Sequence, residues 1–518
     1  MSLKKDNFIK HSKRGLKGLV FSRLGIILLL FLLQIVFLFF SFYVFEGFLP
    51  QIWGGNALLV VIAVFYIINC QMNPSAKITW LVLIMALPVF GCLLFGYTRS
   101  EIGHRALRER YNFLARRNRT YITGSDGTQE TLEKRDKGIY RLSTYLASRG
   151  ANPAFENTET VYLSSGEAKL ELLLQELEKA ERFIFLEYFI IAEGEMWGQV
   201  LEILKRKVKE GVEVRVLYDG TCEFTKLPHS YPTALRKMGI KCKMFSPITP
   251  FLSTHYNYRD HRKILVIDGK VAFNGGINLA DEYINVGSRF GHWKDSALML
   301  RGEAVKSFTL MFLHMWELDA KAEDYTSYLI SEKREGEGFV IPYSDCPVDN
   351  DKIGHRVYMD ILNRAASYVH IMTPYLILDP EMETALKFAA ERGVEVNIIL
   401  PGIPDKKGAW SLAKTHYKSL LLSGVNIYEY TPGFIHSKVF ISDSREGVVG
   451  TINLDYRSLY HHFECATYMA YTPCLREMEE DFSATLEKCR RVTLSTIKKE
   501  RLIVKIRGRI LKIIAPLM

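Results

Sequence analysis

Apolar residues dominate three segments near the start of the chain, roughly 24–45, 57–70 and 78–97. The first is long enough to span about 30 Å of hydrocarbon, and the third is about that long, although Pro88 and Gly91 interrupt it. A cleaved signal peptide would have a shorter apolar core and a small-residue cleavage site, and the stretch SFYVFEGFLPQ offers none. The pattern therefore predicts a transmembrane anchor over residues 1–98, with two or three apolar segments.

From residue 151 onward, apolar strands alternate with amphipathic helices. ERFIFLEYFII and ASYVHIMTPYLIL read as buried strands, while EMWGQVLEILKRKVKEG and EMETALKFAAERG have helical periodicity and end at a glycine. Strands that alternate with helices favour a largely parallel or mixed sheet that is covered on both faces. The predicted fold class is therefore α/β.

Two basic segments flank this α/β region. Residues 99–150 are rich in arginine and polar groups and predict a juxtamembrane helix on the membrane surface, followed by a linker. In the segment 496–518, Ile503, Ile506, Ile510 and Ile513 fall on one helical face, with lysines and arginines elsewhere. This basic amphipathic helix fits a membrane surface and a position packed against the preceding domain equally well.

One pattern occurs twice in the α/β region. In NYRDHRKILVIDGKVAFNGGINLADEY, residues 257–283, a histidine and a lysine two residues apart precede an apolar run, an Asp-Gly turn and a double glycine. Alternate residues of a strand share a face, so the base and the cation would point into one pocket. HSKVFISDSREGVVGTINL, residues 436–454, repeats this spacing, and the upstream stretches GVEVRVLYDG and GVEVNIILPG also match. A surface hairpin would explain one copy, but two copies predict two pseudo-symmetric halves that face a shared cleft.

The duplicated motif H-x-K-x4-D, followed at a fixed distance by G-[GT]-x-N, resembles the phospholipase D superfamily over roughly residues 150–490. NYRDHRK, GGINLADEY and HWKD are similar to the first half of bacterial cardiolipin synthases, and FIHSKVFISD and GTINLDYRS to the second. NPSAKITWLVLIMALPVFGCLLFGY resembles the membrane anchor of that family. The resemblance implies two phospholipase D-like halves, 151–335 and 336–495, with motifs over 255–282 and 430–457. Thr451, where the first copy has Gly276, and Lys294, where arginine is expected, are departures.

The resemblance also implies which residues act on a phosphodiester. Such a group repels nucleophiles, so a catalyst needs donors around its oxygens, a nucleophile and a general acid. His261 is the expected nucleophile and His436 the expected general acid and base, with the order left open by the symmetry. The expected catalytic residues are His261, Lys263, Asp268, His436, Lys438 and Asp443. The expected phosphate-binding residues are Asn278, Asn453, Gly275, Gly276, Gly450 and Thr451, and Asp295 and Glu464 are expected to orient the histidines.

Several of these residues have an alternative structural explanation. Asp268 and Asp443 fall at strand ends, where fixing a turn explains them as well as chemistry does. The glycines suit a bulge as well as a close approach of phosphate. Asp295 and Glu464 would also suit a surface salt bridge. The sequence leaves these alternatives open.

Composition agrees with a membrane-associated enzyme. Lysine and arginine exceed aspartate and glutamate by 67 to 57, and basic clusters flank the apolar segments, which suits an anionic lipid surface better than nucleic acid. The eight cysteines are scattered without a C-x2-C pair, so neither a zinc site nor a disulfide framework is predicted. No metal and no organic cofactor are expected, because the motif supplies its own cations.

The resemblance implies cardiolipin synthesis by transesterification. One phosphatidylglycerol would give its phosphatidyl group to a histidine, forming a phosphohistidine intermediate, and a second would accept that group, with glycerol released. Phospholipase D-type hydrolysis with water as acceptor is the alternative, and a membrane-tethered nuclease is a more distant one. The expected partners are therefore phosphatidylglycerol and anionic membrane lipids, and nucleic acid is not expected.

Charges around the apolar segments predict the side of the membrane. Both flanks of the anchor are basic, so the positive-inside rule places both in the cytoplasm. This needs an even number of crossings, whereas three apolar segments are present. Two true crossings with an interfacial helix or a re-entrant pair resolve the conflict. The protein would then be a multi-pass protein of the cell membrane with a cytoplasmic catalytic domain.

Overall fold

The computed structural model describes residues 23–43, 49–99, 104–246, 258–287, 289–330, 332–349 and 351–517. The first 22 residues, with most of the basic cluster behind the topology prediction, and residues 255–257 of the first predicted motif lie outside these ranges. The chain divides into two compact units: 1–106, 248–256 and 517 form the smaller, and 107–247, 257–516 and 518 form the larger. Both predicted motif histidines therefore belong to the larger unit.

Helices make up the smaller unit in its described ranges. They include α1 Arg23–Tyr43, α2 Leu49–Asn69, α3 Pro74–Ala86 and α4 Pro88–Arg99. The side chain of Asn73 caps α3 by accepting a hydrogen bond from the backbone of Ser75, and proline follows at the first helical position, where its missing N–H costs nothing. Ile67, Trp80 and Ile84 are buried in a small apolar cluster. Within the described ranges, no helix combines the length and the apolar character that crossing a membrane requires.

Three helices precede the first half: α5 His104–Asn118, α6 Thr128–Arg135 and α7 Lys137–Gly150. The prediction of a linker at the end of the 99–150 region is wrong, because α6 and α7 bury Leu132, Ile139 and Leu146 in the core of the second half. Asp136 caps α7 by accepting hydrogen bonds from the two amides that follow Lys137. This segment is therefore part of the packed domain.

A seven-stranded mixed sheet forms the first half. Its elements are β1 Thr158–Leu163, α8 Gly166–Glu178, β2 Phe183–Tyr188, α9 Glu195–Lys209, β3 Glu213–Asp219, α10 Cys222–Thr225, α11 Tyr231–Lys237, β4 Lys241–Phe245, β5 Arg259–Asp260, β6 Lys263–Ile267, β7 Val271–Gly275, a 3₁₀ turn Asp281–Ile284, β8 His292–Lys294, β9 Ala297–Gly302 and α12 Val305–Trp316. The strand order is β1-β9-β7-β6-β2-β3-β4, with β2, β3 and β4 parallel and the other pairs antiparallel. Helices and apolar strand faces bury a continuous core on either side of it.

The second half repeats this order. Its elements are β10 Phe339–Asp345, α13 Ile353–Arg364, β11 Tyr368–Met372, α14 Pro380–Glu391, β12 Glu395–Pro401, α15 Lys407–Leu422, β13 Asn426–Tyr430, β14 Gly433–Ile435, β15 Val439–Ser442, β16 Glu446–Gly450, α16 Tyr456–Tyr460, β17 His462–Ala470, α17 Cys474–Leu486, β18 Cys489–Arg491, α18 Leu494–Lys498 and α19 Leu502–Ile514. The order β10-β17-β16-β15-β11-β12-β13 matches the first sheet strand for strand, with β18 added at the edge. The predicted α/β fold with two pseudo-symmetric halves is thus confirmed.

Matching hairpins close both motif strands. Asp268 and Gly269 have φ angles of 54° and 69°, and Asp443 and Ser444 have φ angles of 55° and 52°. Two successive left-handed residues make a type I′ turn, whose twist suits an antiparallel hairpin. Aspartate tolerates this conformation better than most residues do, because its short side chain can hydrogen-bond locally.

Candidate active site

Two short parallel strand pairs join the halves and bring the motif residues together. β5 of the first half pairs with the start of β17, and one residue beyond this pair His261 faces Glu464. β8 pairs with β14 in the same way, and one residue beyond it Asp295 faces His436. Each strand pair therefore delivers one histidine and one carboxylate to the cleft between the halves.

Each imidazole takes its carboxylate from the opposite half. The Nδ1 atom of His261 lies 3.0 Å from both carboxylate oxygens of Glu464, and the Nδ1 atom of His436 lies 2.7 Å from Oδ2 of Asp295. Both carboxylates are fully buried, which excludes the alternative of surface salt bridges. A carboxylate only accepts hydrogen bonds, so it keeps the ring proton on Nδ1 and leaves Nε2 available for chemistry.

Gly276 and Thr451, for which phosphate binding stays a prediction, adjoin the two carboxylates. A Cβ atom on Gly276 would lie 2.1 Å from Oδ1 of Asp295, so only glycine leaves room for that side chain. In the second half the hydroxyl of Thr451 donates a hydrogen bond to Oε2 of Glu464. The departure from the glycine pattern thus supplies a donor for the longer carboxylate.

Gly275 and Gly450 allow close strand packing, and their expected role in phosphate binding stays a prediction. A Cβ atom on Gly275 would approach the Cα atom of Ala297 to 2.5 Å, and one on Gly450 would approach the Cβ atom of Ala466 to 2.3 Å. Both contacts lie on the neighbouring strand of the same sheet. These glycines therefore permit strand pairing at the point where the chain turns towards the cleft.

The motif lysines are buried beside the histidines, though by a different route from the predicted shared strand face. His261 lies between β5 and β6, and both His436 and Lys438 lie between β14 and β15, because the pairing across the halves ends just before each histidine. The Nζ atom of Lys438 lies 2.9 Å from Nδ1 of His436 and also donates to its carbonyl oxygen. Lys263 donates to the carbonyl oxygen of His261 at 2.6 Å. Two ammonium groups thus adjoin the two imidazoles.

The two motif asparagines are buried with different hydrogen-bond partners. Asn278 accepts from the backbone of Ile190 at 2.9 Å and donates to the hydroxyl of Tyr283 at 2.7 Å. Asn453 donates to Ser458 at 3.0 Å, and its Oδ1 atom has no hydrogen-bond partner within the described part of the chain. Asn453 thus retains an open acceptor, whereas both ends of the Asn278 amide are occupied.

The motif aspartates bind backbone amides, which favours the alternative that they fix a turn over their expected catalytic role. The carboxylate of Asp268 accepts three hydrogen bonds of 2.8 Å from the amides of residues 181–183, which lead into β2. Asp443 does the same for residues 366–368, which lead into β11, at 2.8 to 2.9 Å. These bonds tie the hairpin of each half to the adjacent strand, so both aspartates have a structural function.

Burial and mutual repulsion shape the protonation of the cleft. Burial lowers the pKa of His261 well below its usual value, and the charges of Lys263 and Lys438 lower it further. Burial and Lys438 lower the pKa of His436 to about 4, against the opposing effect of Asp295. Burial likewise lowers the pKa of Lys263 to about 8 and that of Lys438 to about 7. A site that is short of negative charge in this way suits an anionic ligand.

His462 also adjoins this cleft and was not among the predicted site residues. Its ring centre lies 5.3 Å from that of His261, its Nδ1 atom lies 3.5 Å from Glu464, and among the described residues neither ring nitrogen makes a hydrogen bond. Trp293, at the matching position of HWKD, stands 5.4 Å from the ring of His436. The sequence signal that could have identified His462 is its position in HHFE, which matches that of Trp293 in HWKD.

One metal-sized cluster exists in this part of the structure. The ligand atoms of His261, His462 and Glu464 lie within 4.8 Å of one another, so distance alone would allow them to hold a cation. Burial lowers the pKa of His261, and the charges of Lys263 and Lys438 lower it further; the same positive charges oppose a metal ion. The charges around this cluster therefore favour an anion in the cleft over a cation.

Comparison with known proteins identifies relatives of this chain. The family model described as "Cardiolipin synthase, PLD-like domain" matches residues 173–316 and 358–486, and the model described as "Phospholipase D-nuclease N-terminal" matches residues 58–96. A cardiolipin synthase of Alkalihalophilus pseudofirmus is 34% identical over 93% of this chain and 97% of its own.

Two further relatives extend the comparison. A Streptococcus mutans protein named only "Uncharacterized protein" is 55% identical over 88% of this chain and 99% of its own. The crystal structure of phosphatidylserine synthase from Haemophilus influenzae shares the fold, with a TM-score of 0.56 at 15% identity, over 73% of this chain and 98% of that one. On its two family-model matches and its identity to curated relatives, the chain belongs to the cardiolipin synthase family of the phospholipase D superfamily.

Proposed function

We propose that this protein is a cardiolipin synthase that transfers a phosphatidyl group between two phosphatidylglycerol molecules. The observation that carries the proposal is the pair of buried imidazoles, each held on Nδ1 by a carboxylate of the opposite half, with two ammonium groups beside them. This arrangement offers two Nε2 atoms to one phosphodiester. Family membership supports the same conclusion.

The reaction proceeds in two displacements at phosphorus. Nε2 of His261 attacks the phosphorus of the first phosphatidylglycerol, and the P–O bond to the headgroup glycerol breaks as His436 protonates the departing oxygen. Glycerol leaves. A headgroup hydroxyl of the second phosphatidylglycerol then gives its proton to His436 and attacks phosphorus, which breaks the P–N bond and yields cardiolipin. Lys263 and Lys438 neutralise charge on the nonbridging oxygens.

Electrostatics support this order of roles. The nucleophile must be neutral and the acid must carry a proton, so the two histidines need different proton affinities. Asp295 raises the pKa of His436, whereas the leading influences on His261 all lower its pKa. A proton shared by the coupled pair therefore favours His436. An incoming phosphodiester adds negative charge and raises the pKa of both rings.

The decisive assay supplies phosphatidylglycerol as the sole lipid to detergent-solubilised protein and separates the products. Cardiolipin and glycerol in equal amounts are expected. Phosphatidic acid as the sole product would instead assign the protein to phospholipase D hydrolysis and overturn the synthase proposal. A parallel incubation with labelled DNA and RNA tests the nuclease alternative, for which no cleavage is expected.

We also propose that residues 24–97 attach the enzyme to the cell membrane with the catalytic domain in the cytoplasm. Exposed side chains such as Leu28, Phe31 and Phe65 support contact with lipid. To test the orientation, single cysteines near residues 50 and 125 are placed in a cysteine-free background, and intact cells are treated with an impermeant thiol reagent. Labelling near residue 125 without lysis would place the catalytic domain outside.

A further inference from the structure

The C-terminal helix α19 packs against α15 through one narrow face. Val504 and Gly508 are buried in this contact, and a Cβ atom on Gly508 would approach the carbonyl oxygen of Ser411 to 2.2 Å. Nε of Arg507 also donates to the hydroxyl of Ser411 at 2.8 Å. Glycine thus allows close helix packing, and the helix has a fixed rotation on the catalytic unit.

The opposite face of α19 is apolar and exposed. Leu502 and Ile503 are 71% and 70% exposed, and Ile510 and Ile506 are 59% and 48% exposed. At about 100° per residue, these four side chains and Ile514 fall within an arc of about 120°. A continuous stripe of this kind is unusual on a soluble surface and marks an interaction site.

Positive charge borders the stripe. The helix sequence LIVKIRGRILKII holds four basic residues and no acidic one. On the same helical projection Arg507 and Arg509 fall immediately on either side of the apolar arc, and the exposed Lys512 lies further round on the Arg509 side. Arg509, which is exposed, can reach from the edge of the apolar face to a phosphate, with its methylene groups in the apolar layer. An acyl boundary below and anionic headgroups at the rim complement this pattern.

We propose that α19 is a membrane-docking helix, whose exposed stripe inserts into the surface of an anionic bilayer and holds the catalytic unit against it. The stripe contacts the lipid surface, because its apolar side chains match the acyl boundary and its cationic border matches the anionic headgroups. The claim that this contact presents lipid substrate to the enzyme rests on the proposed function, whereas the claim that the helix docks on the bilayer does not. Of the two positions that the sequence leaves open for this segment, packing describes one face of the helix, and the proposal assigns membrane contact to the opposite face.

The test places an environment-sensitive fluorophore on the stripe in the full-length protein. Cys70, Cys92 and Cys489, which are partly exposed, are first replaced by serine, and Ile506→Cys is labelled. The matched control is Phe388→Cys, 56% exposed on α14, a helix with acidic residues in its first turn. Both proteins are reconstituted into vesicles of phosphatidylcholine with phosphatidylglycerol that carry a quencher on the acyl chains.

The expected result is strong quenching at position 506, at least threefold above that at position 388, and weaker quenching without phosphatidylglycerol. Equal quenching at both positions, or none at 506, would overturn the proposal. Spin labels at 506 that broaden each other would instead assign the stripe to a second copy of the chain. In an activity assay, I506E/I510E should lose at least tenfold in activity on vesicles while keeping its rate in mixed micelles. Equal losses on vesicles and in micelles would also overturn docking. Absence of cardiolipin synthesis by the parent protein in micelles would count only against the synthase assignment.

Discussion

Exchange of Glu464 for glutamine tests whether His261 acts through its carboxylate from the other half. The carboxylate contacts Nδ1 at 3.0 Å and is fully buried, so water cannot take its place. Glutamine has nearly the same size but can donate a hydrogen bond through its amide. An amide that donates to Nδ1 moves the ring proton to Nε2, where it occupies the lone pair that would attack phosphorus.

The structure favours this harmful orientation of the amide. Thr451 donates to Oε2 of Glu464, so the amide oxygen of a glutamine would be held there and its NH₂ group would take the place of Oε1, 3.0 Å from Nδ1 of His261. The corresponding exchange of aspartate for asparagine in a serine-protease triad lowers kcat by about 10⁴ through the wrong tautomer. That factor corresponds to about 5.5 kcal/mol of lost transition-state stabilisation. We expect a comparable loss of cardiolipin formation in E464Q.

A substrate with an activated leaving group separates the two histidines. D295N places the same amide beside His436 and should also abolish synthesis from phosphatidylglycerol. A phosphatidyl ester of p-nitrophenol needs no protonation of its leaving group, so D295N should recover a burst of p-nitrophenol, whereas E464Q should show none. Rapid-mixing absorbance measures the burst, and thermal unfolding checks that both variants remain folded.

Two outcomes would contradict the reasoning. A burst in E464Q with none in D295N would reverse the roles of nucleophile and acid. Activity within tenfold of the parent enzyme in both variants would mean that the carboxylates only support packing. The comparison is informative because both exchanges keep the volume of a fully buried side chain.

Three further predictions concern the cations and the motif aspartates. K263R and K438R should each lose about a hundredfold in turnover of phosphatidylglycerol, because a planar guanidinium displaces the charge by about 1 Å. A near-normal kcat in either variant would mean that the lysine contributes only a general positive electrostatic potential and no directed contact. Burial lowers the pKa of Lys263 to about 8 and that of Lys438 to about 7, so in the free enzyme Lys438 loses its charge around pH 7 and Lys263 around pH 8. The KM for phosphatidylglycerol should therefore rise between about pH 7 and 9, by up to about tenfold per pH unit for each lysine that binds charged. A KM that stays flat over this range would exclude lysine titration from binding. D268N should lower the free energy of unfolding by about 2 kcal/mol in a denaturant titration, because it weakens the hydrogen bonds that a buried carboxylate accepts. Asparagine tolerates the positive φ at this position, so kcat should stay unchanged. A large loss of kcat would favour a catalytic role for Asp268.

Duplication made the fold predictable from sequence. The H-x-K-x4-D pattern and its upstream strands recur with equal spacing, and the two sheets have the same strand order. The apolar run before Asp268 and the Asp-Gly pair correspond to β6 and its turn. Local periodicity and turn chemistry determine such features, so they can be read along one stretch of chain.

Contacts between the halves could not be predicted in the same way. Nothing in the spacing of HWKD or HHFE indicates that each carboxylate serves the other half's histidine, because two strand pairs that join distant segments set this register. The role of Lys294 likewise depends on a distant partner, since it binds Asp481 at 2.6 Å. Residue identity alone also left Asp268 with two explanations, which only its three backbone amides separate.

The two halves share a fold but no longer supply equivalent side chains, and this difference suits a two-step reaction. His436 has a short carboxylate that fits only beside glycine, with Trp293 against its ring. His261 has a longer carboxylate with a threonine donor on it, and His462 against its ring. Each carboxylate also accepts one further hydrogen bond, Asp295 from the backbone amide of Ser296 and Glu464 from the side chain of Thr451, so only the second half uses a side chain that a substitution can change. Once each half served the other half's histidine, a substitution near one carboxylate could change one imidazole alone, and the rings could specialise as nucleophile and acid.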